Sequence, residues 1–243
     1  MKQEEITDLI RRRRSTIVMI RRARQGIGEG KGRLGVFPAS FNPPTLAHQV
    51  LVQEARKQGH LDEVLVLLDI RAMDKRPIGA SFEDRLKMVS LVFGRDPKVS
   101  IGLSNRGLFL EKLEALRPWY PGEVELFFIV GFDTILRVLD KKYYSNRREA
   151  LDQLFEHSRF LVANRGSHDE EAFSRLFRRT ENRRYQRRVS FFTLPPGLST
   201  LSSSEIRESI RQGRSVVSGL SRPVLRFIKT RRLYQGNNLG CSD

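Results

Sequence analysis

The sequence predicts an α/β protein, a doubly wound parallel sheet with helices on both faces, and three observations predict it. At 33–48 an apolar run breaks into Ser40-Phe41-Asn42-Pro43 and restarts as a helical pattern, which reads as a strand, a tight turn and a helix start. At 62–68 a second run, Asp62-Glu63-Val64-Leu65-Val66-Leu67-Leu68, is apolar without alternation, as a strand buried on both faces is. Strand, helix and strand in this order make a right-handed crossover and a parallel sheet.

Taken in order, residues 3–24 read as a helix that is amphipathic only in part, with Ile6, Leu9, Ile10, Ile17, Val18 and Ile20 apolar and an arginine block at 11–14. Gly26, Gly28, Gly30 and Gly32 follow as a flexible connector, so residues 1–31 are expected to be a basic helical extension and 32–243 the α/β domain. The first strand, 33–39, leads to a helix over about 46–58, and the second, 62–68, to a helix opening at Ser81. A third strand is expected at 98–103 with a helix over 107–117, and a fourth at 123–130 with a helix over 133–139. The fifth, 158–163, precedes an arginine-rich helix over 169–187, and the sixth, 189–194, is closed by Pro195-Pro196-Gly197. Ser202 with Glu205 is a capping box that starts another helix.

Two of these junctions suit anions. A helix start offers free backbone N–H groups and the positive end of the helix dipole, and Thr45 and His48, three apart, share one helix face beside it. The helix at Ser202 offers the same donors, with Arg207 on its first turn as a fixed fork. Gly131 and Asp133 fall at the carboxyl end of a parallel strand, where open α/β sheets bind ligands and where a carboxylate can accept from a ligand's hydroxyls. The competing account makes Asp133 the N-cap of helix 133–139.

Ser40-Phe41-Asn42-Pro43 followed by Thr45-x-x-His48 resembles the (H/T)xGH signature of the nucleotidylyltransferase superfamily, and within it most resembles nicotinamide/nicotinate mononucleotide adenylyltransferases. Ser202-Ser203-Ser204-Glu205-Ile206-Arg207 is similar to the same superfamily's SSxxIR-type string, and Phe128-Ile129-Val130-Gly131-Phe132-Asp133 to its ribose-binding segment. The likeness covers about 32–235, including a closing helix at 219–234. It implies a Rossmann-like sheet and an enzyme that joins ATP to a pyridine mononucleotide, with Mg²⁺ arriving on the ATP. By the same resemblance His48 and Thr45 meet the α- and β-phosphates, while Arg207 and Lys75 clamp the β/γ end. Ala39, Ser40, Phe41 and Asn42 belong to the ATP loop, Gly131 and Asp133 to the ribose, Asn164 and Arg165 to the adenine side, and Ser202, Ser203 and Ser204 to the phosphates. Arg85 stands second to Lys75 and is assigned with Tyr143 and Trp119 to the acceptor; Tyr143 matches the region of the family's aromatic that stacks on the pyridine ring, while Trp119, before the fourth strand, has a core or rim position as its alternative. Four positions depart from the pattern: Pro38-Ala39 replaces Gly-Gly, Ala47 stands where Gly is common, and Arg222 where a small apolar residue is common. A Cβ at residue 39 narrows the backbone's approach to a phosphate.

Composition limits the remaining classes. The net charge of +16 is concentrated at 1–33, 171–190 and 205–235, which suits a phosphate-rich ligand, nucleic acid or an anionic surface, or else solvated arginine helices. No stretch approaches the roughly 20 apolar residues that span a bilayer. The single Cys241 forbids an internal disulfide, and a cytoplasmic location is expected. Rival readings are a related enzyme with another acceptor, such as a phosphopantetheine adenylyltransferase or a cytidylyltransferase, and a nucleic-acid-binding or regulatory protein on the same fold. Self-association stays open, as does the choice between nicotinamide and nicotinate mononucleotide.

Overall fold

The computed structural model describes residues 9, 12, 14–28, 31–70, 79–105, 107–120, 123–166 and 168–235. Runs of Val, Leu, Ile and Phe with no polar alternation have to be covered on both faces, and they form the centre of one seven-stranded sheet. Its strands are β1 (Ile17–Arg21), β2 (Arg33–Ala39), β3 (Glu63–Asp69), β4 (Val99–Ser104), β5 (Glu125–Gly131), β6 (Arg159–Ala163) and β7 (Val189–Phe192). The crossovers are α1 (Leu46–Gly59), α2 (Phe82–Phe93) and α3 (Phe109–Leu116), then α4 (Phe132–Val138) with α5 (Arg147–His157), then α6 (Glu170–Arg178) with α7 (Thr180–Arg183). Two more helices, α8 (Ser203–Arg211) and α9 (Arg222–Thr230), follow the last strand.

The strand order is β1-β4-β3-β2-β5-β6-β7, parallel except for β1, which runs antiparallel to β4. The chain therefore winds outward from β2 to β4, returns to β5 on the other side of β2, and winds outward again: a Rossmann-like α/β fold. One face packs under α3, α4, α5 and α6 through Phe128, Phe160, Leu151 and Phe177. The other packs under α1 and α2 through Val52, Ala55, Val66 and Val89. A third, smaller cluster seats α8 and α9 on α2, with Ile206, Val224 and Ile228 against Met88. Burying such aliphatic side chains contributes roughly 1.5–3 kcal/mol each, enough to hold the start of α8 over the sheet edge.

The six expected strands are present, with β7 two residues shorter than 189–194. Within the helix expected over 3–24, Leu9 is helical but Ile17–Arg21 form a strand, and residues 3–8, 10, 11 and 13 lie outside the described residues. The stretch Thr16-Ile17-Val18-Met19-Ile20 is rich in β-branched residues and meets the open edge of β4, which needs a partner for its backbone groups. Asn105 Oδ1 accepts from the Thr16 amide at 2.8 Å, and the Arg21 guanidinium donates to the Phe93, Asp96 and Val99 carbonyls. Of the glycines that follow, Gly26 and Gly32 are packed, a Cβ on Gly26 overlapping the Glu63 carboxylate, whereas a Cβ on Gly28 would meet nothing within 4 Å. Glu63, 1% exposed, accepts from the Ile27 amide at 2.8 Å, Ser100 Oγ at 2.5 Å and Tyr120 Oη at 2.6 Å, tying this segment to β3, β4 and the turn after α3. The single helix expected over 169–187 breaks at Arg179, whose extended backbone separates α6 from α7. Gly131, not Asp133, is the N-cap of α4, and Asp133 lies within its first turn. No helix among the described residues is long and apolar enough to cross a membrane.

Candidate active site

Strand β2 pairs with β5 only as far as Val36, but with β3 as far as Ala39. Beyond Val36 the two strands part, and a crevice opens between Pro38-Ala39 and Gly131, where the winding reverses direction. It holds a cavity of about 200 Å³ walled by Ala39, Thr45, His48, Gly131, Asp133, Arg165 and Ser203. Past Ala39 and Thr134 a second cavity of about 250 Å³ continues it, walled by Asp69, Phe109, Arg137 and Tyr144.

Thr45 is the N-cap of α1, and His48 occupies the capping-box position where a Glu usually reaches back. The Thr45 amide donates to His48 Nδ1 at 2.9 Å, and Thr45 Oγ1 lies 2.9 Å from the same nitrogen. With Nδ1 accepting, the neutral ring carries its proton on Nε2, which becomes a donor. Burial, helped by the charge of Arg165, lowers the imidazole from 6.5 to about 4. At neutral pH the helix start thus presents a neutral N–H beside its own free amides.

The loop before α1 is anchored from the far end of the chain. Phe41 adopts φ 45, a left-handed conformation uncommon for a bulky residue, and is fixed there by burial against Phe37, His48 and Phe93. Arg207 donates to the Asn42 carbonyl at 2.6 Å, Ser203 Oγ to the Pro43 carbonyl at 2.8 Å, and Tyr234 Oη to Asn42 Oδ1 at 2.8 Å. The start of α8, with Ser202 and Glu205 closing the expected capping box, therefore sits across the crevice from the start of α1. Two sets of helix-terminal amides, the Thr45 and Ser203 hydroxyls, the His48 imidazole and the Arg165 guanidinium line the crevice, an arrangement suited to a chain of phosphates. On the opposite wall Asp133 lies 3.7 Å from both Arg165 Nε and His168 Nδ1, with His168 stacked on Phe132.

The family model described as cytidylyltransferase-like matches residues 36–209, a span that contains both anchored motifs. The chain belongs to the cytidylyltransferase-like family. Over 209 residues it is 30% identical to a probable nicotinate-nucleotide adenylyltransferase of Thermus thermophilus, covering 84% of this chain and 100% of that protein. It is 32% identical over 134 residues to a putative nicotinamide mononucleotide adenylyltransferase of Schizosaccharomyces pombe, covering 54% of this chain and about half (52%) of that protein. Among solved structures, Plasmodium falciparum nicotinic acid mononucleotide adenylyltransferase complexed with NaAD shares the fold, with a TM-score of 0.60 and 17% identity over 84% of this chain and 97% of that one. These relatives bear out the resemblance read from the two motifs.

Within this cytidylyltransferase-like crevice the residues singled out from the sequence fall into three groups. Ala39, Thr45, His48, Gly131, Asp133, Asn164, Arg165, Ser202 and Ser203 line the first cavity. A Cβ at Gly131 would meet nothing within 4 Å, so its backbone borders open space. Phe41 and Asn42 are buried and build the loop, and Asn164 Oδ1 is engaged by the Leu194 amide at 2.8 Å. Ser40 lines the second cavity, while Ser204 and Arg207 border a neighbouring groove with Arg211, Arg232 and Tyr234.

The third group is not brought to the crevice. Arg85, only 2% exposed, spends its guanidinium on the carbonyls of Ser40 at 3.0 Å and Asp69 at 3.2 Å, so it braces the loop from behind. Trp119 donates Nε1–H to the Ile17 carbonyl at 3.1 Å and pins β1 at the sheet edge. Tyr143 lies in a short 3₁₀ turn under Lys142, and its neighbour Tyr144 walls the second cavity instead. Lys75 lies outside the described residues. Thr134, Arg137, Asp69 and His168 were missed; Thr134 and Arg137 follow Gly131-Phe132-Asp133 at one-turn spacing, a signal that was available.

Proposed function

We infer that this chain is an adenylyltransferase that joins ATP to nicotinamide or nicotinate mononucleotide, forming NAD or deamido-NAD and releasing pyrophosphate. The observation that carries the reading is the anchoring of Ser203 and Arg207 on the Pro43 and Asn42 carbonyls, which sets two helix starts and His48 around one crevice. The first cavity takes ATP, with Asp133 at the ribose, Asn164 and Arg165 toward the adenine, and the triphosphate between the starts of α1 and α8. The second cavity, continuous past Ala39, takes the mononucleotide with its phosphate toward His48.

In the reaction an oxygen of the mononucleotide phosphate forms a bond to the α-phosphorus of ATP as the bond to the bridging oxygen of pyrophosphate breaks. A phosphate monoester is already a nucleophile at neutral pH, so positioning and charge stabilisation suffice. His48 Nε2–H, Thr45 and the α1 amides donate to the oxygens on which charge grows, while Arg207 and the α8 amides hold the leaving end. Among the described residues no three His, Cys, Asp or Glu side chains cluster as a metal cage, and the groups at the two helix starts are donors. Mg²⁺ carried on the ATP would supply neutralisation of the leaving charge, with Arg207 and the α8 amides beside it. A cytoplasmic location fits this metabolic role.

The test is an acceptor panel. Purified protein with ATP and Mg²⁺ is given nicotinamide mononucleotide, nicotinate mononucleotide or phosphopantetheine, and pyrophosphate is followed. Release with a pyridine mononucleotide, reduced in His48→Ala by at least about 10²-fold in kcat, is the expected result. Release with phosphopantetheine alone would move the enzyme to another branch, and steeply salt-dependent RNA binding without any release would select the nucleic-acid-binding alternative.

A further inference from the structure

The floor of the second cavity carries an ion pair that the reaction does not need. Asp69, the last residue of β3, places Oδ1 3.1 Å from the Nζ of Lys112 on α3. Lys112 is fully buried and also donates to the Gly107 carbonyl at 3.0 Å, whereas the Asp69 side chain keeps 15% of its surface and lines the cavity. The pair therefore turns its negative member toward the space and hides its positive member behind it. Oδ1 is buried beside the lysine, so the exposed part of the carboxylate is its other side, which has no partner among the described residues. Arg85 reaches only the backbone carbonyl of Asp69.

The rest of the cavity, whose walls also carry the cation Arg137, orients what enters. A mononucleotide phosphate cannot settle beside a carboxylate, and its reactive position lies at the other end, near Ala39 and His48. The pyridine ring is then the part that reaches Asp69, between the aromatic walls of Phe109 and Tyr144. Tyr144 offers its ring face, because its hydroxyl is committed to the Val138 carbonyl at 2.7 Å. Ribosylated pyridine is a cation: a carboxamide leaves that charge in place and adds N–H donors, whereas a carboxylate cancels it and adds acceptors only.

We propose that Asp69 selects the acceptor, favouring the carboxamide of nicotinamide mononucleotide over the carboxylate of nicotinate mononucleotide; the inference rests on the adenylyltransferase reading above. Burial raises the Asp69 carboxyl to about 6 against the opposing pull of Lys112, so at pH 8 it is ionised and discriminates fully.

The experiment measures kcat/KM for both acceptors at pH 8 in the wild-type chain, in Asp69→Asn, and in Asp69→Asn with Lys112→Met, which leaves no buried cation without its counter-charge. The wild type is expected to favour nicotinamide mononucleotide by at least about tenfold, and each variant to bring the ratio to within about threefold, with KM for ATP unchanged. A wild-type ratio at or below one, or the wild-type ratio persisting in a folded variant, overturns the proposal. Should Asp69→Asn fail to fold, the wild type and the double variant decide. Turnover of both acceptors with equal kcat/KM removes the proposal and leaves the adenylyltransferase reading standing; no pyrophosphate from either acceptor removes both.

Discussion

His48 shows how one side chain is set by its neighbours before any substrate arrives. The Thr45 amide occupies Nδ1, and protonating that nitrogen would cost the hydrogen bond as well as the burial. Because the folded-state value, about 4, lies below the ordinary 6.5, this group contributes stability that is fully present above pH 6.5 and is lost as pH falls through 4. Asp69 has the opposite sign: raised to about 6, it contributes stability below its ordinary 3.8 that is lost as pH rises through 6. The two partly cancel, so the His48 contribution is isolated by unfolding wild type and His48→Gln in urea from pH 4 to pH 7. The stability gap between them is expected to shrink steadily toward the acid end, and the imidazole NMR titration to lie well below 6. At this scale the sequence was informative where a residue type is dictated by its place in a motif, as at Thr45, His48, Ser203 and Arg207. It was silent on direction: of two adjacent tyrosines, Tyr144 rather than Tyr143 faces the second cavity, and nothing in their order says so.

The working parts at the next scale are helix starts. α8 is opened by a reciprocal pair, the Glu205 amide donating to Ser202 Oγ at 3.1 Å and the Ser202 amide to Glu205 Oε2 at 3.2 Å. Ser202→Ala is expected to cost about 1 kcal/mol in urea denaturation and to raise KM for ATP, because fraying moves Ser203 and Arg207 off the Pro43 and Asn42 carbonyls. The strands were legible because runs buried on both faces have one reading, and the capping box because its residues are local. β1 was not legible, since the apolar residues of 3–24 satisfy a helical spacing and a short strand alike. What decides between them is the edge of β4, some 80 residues further along the chain. The same reason explains Arg85 and Trp119, whose roles depend on carbonyls that no local pattern reveals.

For the whole molecule, the basic N-terminal segment is structural where it is described, because β1 completes the sheet and the turn after it supplies an amide to Glu63. Deleting residues 1–24 removes the buried Ile17 and uncovers β4, and is expected to lower stability by at least about 2 kcal/mol. Differential scanning calorimetry of the shortened protein checks this, and an unchanged melting temperature would mean that β1 is a passive adornment. The longest-range bond in the crevice joins Tyr234 to Asn42 across 192 positions, and the Tyr234 ring lies 2.8 Å from where a Cβ on Gly79 would stand. During synthesis the loop that is made early therefore waits, unlatched, until Tyr234 has been added, so a nascent chain that stops short of it carries the crevice without its fastening.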